Sequence, residues 1–138
     1  MSDLPEEARK TFRVLITGSR TWLDPLPVHN ALTQLLREHG ALAVMHGACR
    51  TGADSYAAQW VAQAVRRSPG NVVEIPVPAD WETHGRKAGP LRNQWMVDLG
   101  HDLVLAFHDG ASRGTADCIR RAEKAGIPVR RYERSSSD

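Results

Sequence analysis

A chain of 138 residues, 41% hydrophobic and 25% charged, has the length of one domain and the make-up of an ordinary globular core. Its 18 lysines and arginines against 16 aspartates and glutamates argue against a protein that coats nucleic acid by charge alone. No apolar run approaches the roughly 20 residues of a membrane span, no secretory leader is recognisable, and Cys49 and Cys118 form neither a C-x-x-C pair nor a disulfide framework, so a cytoplasmic protein with reduced thiols and no membrane partner is expected.

Residues 1–10 are polar and carry Pro5, and 133–138 end in a serine-rich run, so frayed termini are expected around a single domain over 11–132. Phe12 to Ile16 is an apolar β-type run that stops at Thr17-Gly18-Ser19-Arg20. Glycine there lets backbone N–H groups approach an anion, the hydroxyls add donors, and Arg20 adds a planar cation; the alternative is a tight turn with a solvated arginine. Pro25 and Pro27 place the start of the first helix beyond Pro27, with Val28, Leu32, Leu35 and Leu36 at helical spacing and Gly40 as a stop.

Ala41 to Met45 predicts a second buried strand, and His46 to Asp54 repeats the first design, a strand running into glycines and an arginine. From Ala53, the residues Tyr56, Ala57, Trp60, Val61 and Ala64 form one helical face, ended by Ser68-Pro69-Gly70. Val72 to Val77 is β-branched, and Pro76 assigns it to a sheet edge. Pro78 to Pro90 shows neither helical nor strand period, and so long a loop in a compact chain points to function. Pro90 fits the first turn of a third helix that turns Leu91, Trp95 and Leu99 inward and sets Arg92 and Asn93 near its positive end, with Gly100 after it. Leu103 to Phe107 is a fourth strand, His108 to Asp117 a third glycine loop, and Ile119, Ala122 and Ala125 the packed side of a fourth helix. Gly126 caps it before a fifth strand, Val129 to Tyr132. The pairs Arg66-Arg67, Arg120-Arg121 and Arg130-Arg131 suit solvated element ends.

This alternation predicts an α/β fold: a Rossmann-like three-layer α/β/α domain with a five-stranded parallel sheet in the order 3-2-1-4-5. Strands one and four then lie side by side where the winding reverses, and the three glycine loops converge there. Gly114 and Thr115, opening the fourth helix, offer N–H groups and a hydroxyl to phosphate. No loop matches G-x-x-x-x-G-K-S/T or G-x-G-x-x-G, which disfavours nucleoside triphosphatase and hydride-transfer chemistry. No spacing suggests a metal site. His46, His84 and His108 are candidates to enter the crevice, while His29, His39 and His101 are assigned to the surface.

Thr17-Gly18-Ser19-Arg20-Thr21-Trp22, His46-Gly47 with Gly52-Ala53-Asp54, Ala79-Asp80-Trp81, Ala88-Gly89-Pro90-Leu91-Arg92-Asn93 with Met96, and Gly114-Thr115-Ala116-Asp117 together resemble the YspA-like, cpYpsA-related branch of the SLOG superfamily. Its wider membership includes the LOG phosphoribohydrolases and the DNA-processing protein DprA. The resemblance implies a domain that binds a nucleotide or nucleotide-derived small molecule as sensor or carrier, this ligand being the one expected and no cofactor being assigned, and that self-associates as a homo-oligomer. Within those motifs the implied ligand residues are Gly18, Ser19, Arg20 and Trp22; His46, Gly47, Gly52 and Asp54; Asp80 and Trp81; Arg92 and Asn93; and Gly110, Gly114, Thr115 and Asp117.

In LOG enzymes an R-K-x-x-M segment and a P-G-G-x-G-T-x-x-E segment supply the arginine and glutamate that cleave a nucleoside monophosphate's N-glycosidic bond. Arg92-Asn93 with Met96 resembles the first and Gly110 to Thr115 the second, but Cys118 stands at the glutamate position and Asp117 is the nearest carboxylate. One position along a helix turns a side chain by about 100°. The alternative function is therefore such a hydrolase, with Arg92 holding phosphate or stabilising charge and Asp117, Asp54 or Asp80 acting on ribose or water. A third, single-stranded nucleic-acid binding by analogy with DprA, has the charge balance against it. Asp54 has two readings, a ribose contact or a helix-dipole charge, and so has Trp81, a base-stacking platform or a buried loop anchor. Trp60 and Trp95 are assigned to the core.

Overall fold

The computed structural model describes residues 11–133. Of the segments expected to fray, 1–10 and 133–138, all but Glu133 lie outside the described residues, and Glu133 is not frayed but ends the last strand. In chain order the elements are β1 (Phe12–Gly18), α1 (Pro25–His39), β2 (Leu42–His46), α2 (Ala53–Arg67), β3 (Val72–Pro76), α3 (Trp81–His84), a 3-10 turn (Gly85–Lys87), α4 (Ala88–Asp98), β4 (Leu103–His108), α5 (Arg113–Lys124) and β5 (Val129–Glu133).

All strand pairs are parallel and the sheet order is β3-β2-β1-β4-β5, as the alternation predicts. Register sets Val14 beside Val44 and Leu103, and Leu15 beside Met45 and Val104. Alternate side chains feed opposite faces: Val14, Ile16, Val44, Leu105 and Phe107 pack under α1 and α2, whereas Leu15, Ala43, Met45 and Val104 meet Met96 and Val97 of α4 and Cys118 and Ala122 of α5. Covering both faces with helices is why the central strands carry apolar runs such as Val14 to Ile16, Leu42 to Met45 and Leu103 to Phe107.

Four expectations are corrected. Helix α1 begins at Pro25, not beyond Pro27: Asp24 caps it, its carboxylate accepting from the Leu26 N–H at 3.1 Å, and first-turn prolines forfeit no intrahelical bond. The segment from Pro78 to Pro90 is largely helical; Asp80 caps α3 by accepting from the Thr83 N–H at 3.2 Å, and the one-turn elements bury no side chain, so they carry no periodicity to read. Helix α4 is turned relative to its pattern, with Leu91 and Trp95 each 50% exposed while Ala88, Gly89, Asn93, Met96 and Val97 face inward. Trp60 is in the core as expected, but Trp95 is not. In α5 the packed side is Cys118, Ile119 and Ala122, with Ala125 exposed at the C-cap.

Candidate functional site

The crevice forms at the carboxyl ends of β1, β2 and β4, where their loops are fastened together. Gly18 ends β1 against the first turn of α2: a Cβ there would run into the Ala53 Cβ and come within 2.9 Å of the Phe107 carbonyl oxygen. Ser19 donates its N–H to that same oxygen at 3.0 Å, while its hydroxyl accepts from the Asp109 N–H at 3.1 Å. The Thr21 hydroxyl donates to the Asp109 carboxylate. Gly52 backs directly onto the Ser19 carbonyl, locking the second loop to the first.

The resulting cavity encloses about 670 Å³, the size of a small-molecule site. Five arginines line it, Arg20, Arg86, Arg92, Arg113 and Arg120, against two carboxylates, Asp54 and Asp117. Arg92 is held rigidly. Its Nη1 donates to the carbonyls of Gly47 at 2.7 Å and Val77 at 3.3 Å and its Nε to Asn93 Oδ1 at 3.0 Å, and Nη2 has no partner among the described residues. Asn93, buried, donates in turn to the Gly114 carbonyl at 3.3 Å and to Asp117 Oδ2 at 3.1 Å, tying α4 to α5.

Asp117 is thoroughly engaged, accepting also from Arg121 Nε at 2.8 Å and Arg120 Nη2 at 3.3 Å. Partial burial pushes toward the neutral acid, but the bonds from Arg121 and Asn93 and the two guanidinium charges together hold its pKa below the usual carboxylate value. Asp54 is the opposite case. It is 5% exposed, burial raises its pKa, and the neighbouring His46 ring, the bonds from Cys49 and the Arg92 guanidinium oppose that only in part.

Ten of the expected ligand residues line the cavity: Gly18, Arg20, Gly47 and Asp54 from the first two loops, Trp81, Arg92 and Asn93 from the α3–α4 side, and Gly114, Thr115 and Asp117 on α5. Six do not. Ser19 is a buried fastener, Trp22 packs edge-on against Phe107 with ring centroids 5.6 Å apart, Gly52 is a backbone contact, Asp80 is a helix cap and Gly110 is an exposed turn. The sixth, His46, stands behind its loop: Nε2–H donates to Glu74 Oε2 at 2.7 Å, and Nδ1 accepts from the Ala48 N–H at 3.0 Å. That second bond holds Ala48 at φ 59°, the one non-glycine residue with positive φ among the described residues.

His84 and His108 also miss the cavity. Thr115 spends its N–H on the Ser112 hydroxyl at 3.1 Å, so the first-turn N–H groups without an intrahelical acceptor are those of Arg113 and Gly114. Trp81 is no buried anchor: it is 48% exposed, with the Arg20 guanidinium carbon 5.8 Å from its ring centroid. Gly89 faces that ring, where a Cβ would lie 3.3 Å from it. Sequence reasoning missed Arg86 and Arg113, although both adjoin glycines in polar segments, the signal that singled out Arg20, and it assigned Arg120 to a solvated element end whereas Arg120 lies within α5 and lines the cavity. Cys118, at the position of the LOG glutamate, is fully buried, and burial pushes its thiol up to about 11. Among the described residues no group of three or more His, Cys, Asp or Glu could hold a metal ion, and no helix is long and apolar enough to cross a membrane.

A family profile described as the YspA, cpYpsA-related SLOG family matches residues 12–84. The chain belongs to that family. Within this SLOG domain the matched segment carries β1 through α3, and so two of the glycine loops together with Trp81. The "Gene 61 protein" of Mycobacterium phage D29 is similar to the SLOG chain over 118 residues at 52% identity, covering 85% of this chain and 93% of the phage protein.

Proposed function

We propose that the crevice binds a nucleotide or nucleotide-derived small molecule and that the domain acts as its sensor or carrier. One observation carries this reading: five arginines surround a glycine-walled cavity beside a half-exposed indole. Guanidinium groups match phosphate oxygens in planar, charge-assisted bonds, and an exposed indole backed by a cation is a platform for a flat base. Equilibrium dialysis against nucleoside mono- and diphosphates, cyclic nucleotides, ADP-ribose and NAD should find at least one retained ligand. Arg20→Ala should weaken that binding about 10-fold or more with an unchanged melting temperature, the loss of one charge-assisted bond. Retention of none of these compounds would discard the reading.

The state of Asp117 favours binding over turnover. A general base must be free to take a proton and be basic enough to do so, whereas Asp117 is bonded to Asn93, Arg120 and Arg121 with a depressed pKa. Nucleoside monophosphates incubated with the protein are expected to release no base, by chromatography, beyond the rate with an Arg92→Ala, Asp117→Ala double variant. Release well above that rate would restore the hydrolase.

A further inference from the structure

An anion site gains nothing from a carboxylate, which repels phosphate at close range. Asp54 nevertheless lines the cavity and is almost wholly buried. Its Oδ2 accepts a long bond, 3.3 Å from the Cys49 N–H, and the Cys49 thiol, a weak donor, supplies the other bond to this carboxylate. Arg92 does not neutralise it directly, because Nη1 and Nε are committed to Gly47, Val77 and Asn93. A helix-dipole role does not account for it either, since a solvated carboxylate in the first turn of α2 would serve as well without the desolvation cost. Burying an acceptor short of its bonds is unfavourable unless something else supplies donors.

The missing Cβ of Gly47 puts Asp54 and Arg92 on one bare stretch of backbone. A Cβ there would come within 2.5 Å of Arg92 Nη1 and 3.0 Å of Asp54 Oδ2. An ionised carboxylate only accepts hydrogen bonds, so what reaches it must carry N–H or O–H donors and no negative charge. In a nucleotide whose phosphate lies on the unpartnered Nη2 edge of Arg92, the group joined directly to that phosphate is the sugar, while the base extends beyond it. A vicinal diol offers a carboxylate two hydroxyl donors at once, the pairing by which acidic residues read ribose in other α/β folds.

We infer that Asp54 receives the ribose hydroxyls of the bound nucleotide, so that the crevice selects ribonucleotides over 2′-deoxyribonucleotides. The inference rests on the nucleotide reading above. Donation from the diol supplies the bonds that burial withholds from Asp54 and stabilises its ionised form once the ligand is in place.

Isothermal titration of the full chain with the four ribonucleoside 5′-diphosphates and their 2′-deoxy counterparts tests it. The best-bound ribonucleotide should exceed its deoxy counterpart by about 10- to 100-fold in affinity, the range for a bond to a charged group. In Asp54→Asn that ratio should fall to within about threefold, with deoxy binding retained because the phosphate contacts are untouched. Circular dichroism melting checks that the variant folds, and the comparison in the native protein stands by itself if it does not. Equal affinities for ribo and deoxy forms overturn the inference while leaving the nucleotide reading intact. So does a preference that persists undiminished in folded Asp54→Asn. Binding of neither series overturns the inference, and the nucleotide reading falls with it only if none of the wider panel above is retained either.

Discussion

Gly52→Ala is expected to lower the stability of the domain by about 4 kcal/mol, because two independent costs fall on one atom. Gly52 sits at φ 77°, ψ −153°, a region open almost only to glycine, and forcing a side chain there costs about 1–3 kcal/mol. The added Cβ would also strike the Ser19 carbonyl oxygen and lie 2.8 Å from the Arg20 Cα. That neighbour is backbone and cannot rotate away, which adds an overpacking cost of about 1–3 kcal/mol. Gly40 is the control: its φ is 79° but nothing lies within 4 Å of its missing Cβ, so Gly40→Ala should cost only about 1 kcal/mol. Urea denaturation of both variants measures the difference. Equal losses would mean that the β1 and β2 loops are not locked together, and the crevice would lose its physical basis.

Acidification should cost the native protein about 3 kcal/mol between pH 6.5 and pH 4 through one side chain, His101. Sequence patterning assigns this histidine to the surface, but it is partly buried where α4 hands over to β4. Nε2–H donates to the Met96 carbonyl at 2.8 Å, and Nδ1 has no partner. Burial above all, with the nearby Arg13 charge, lowers its pKa from the ordinary 6.5 to about 4, although the Met96 bond and Asp102 pull the other way. The sign follows from which state takes the proton. Above pH 6.5 the imidazole is neutral in both states and folding is unaffected. As pH falls toward 4 the unfolded chain is protonated first, so stability drops through that window and levels off below it. In His101→Gln, which keeps a donor for Met96 without the titration, this slope should vanish. Urea midpoints followed from pH 7 to pH 4 read it as the difference between the two proteins, a subtraction that also removes the opposite contribution of Asp54, whose raised pKa favours the folded state in acid. Parallel curves would rule out the buried neutral histidine.

Much of the architecture is legible along the chain. The inner strands β2 and β4 are short apolar runs followed within two residues by glycine, and the periods of Val28 to Leu36 and Ala53 to Ala64 are local facts that tertiary packing did not override. Parallel strands with helical crossovers allow few sheet orders, so the convergence of three glycine loops on one edge follows from order alone. Where the reading slipped, local pattern was absent or pointed the wrong way. The stretch from Trp81 to Lys87 buries nothing and shows no period, and the leucine and tryptophan of α4 mark its outer face because its inner face is shared between core and cavity.

The sequence by itself determined the strands, the long helices and their order, because these periods depend on neighbours three or four positions away, and through that order it determined the sheet edge on which the glycine loops meet. Which carboxylate is fully bonded and which has only weak donors was decided only by the tertiary structure. Asp117 is satisfied partly from its own helix and partly by Asn93, 24 residues earlier, whereas Asp54 finds only the N–H and thiol of Cys49, five residues away, and otherwise faces the cavity. The same holds for His46, turned from ligand residue to loop support by Glu74 on the neighbouring strand. Hydrogen bonding and desolvation depend on what the fold brings within about 3 Å, and no spacing along the chain encodes that distance.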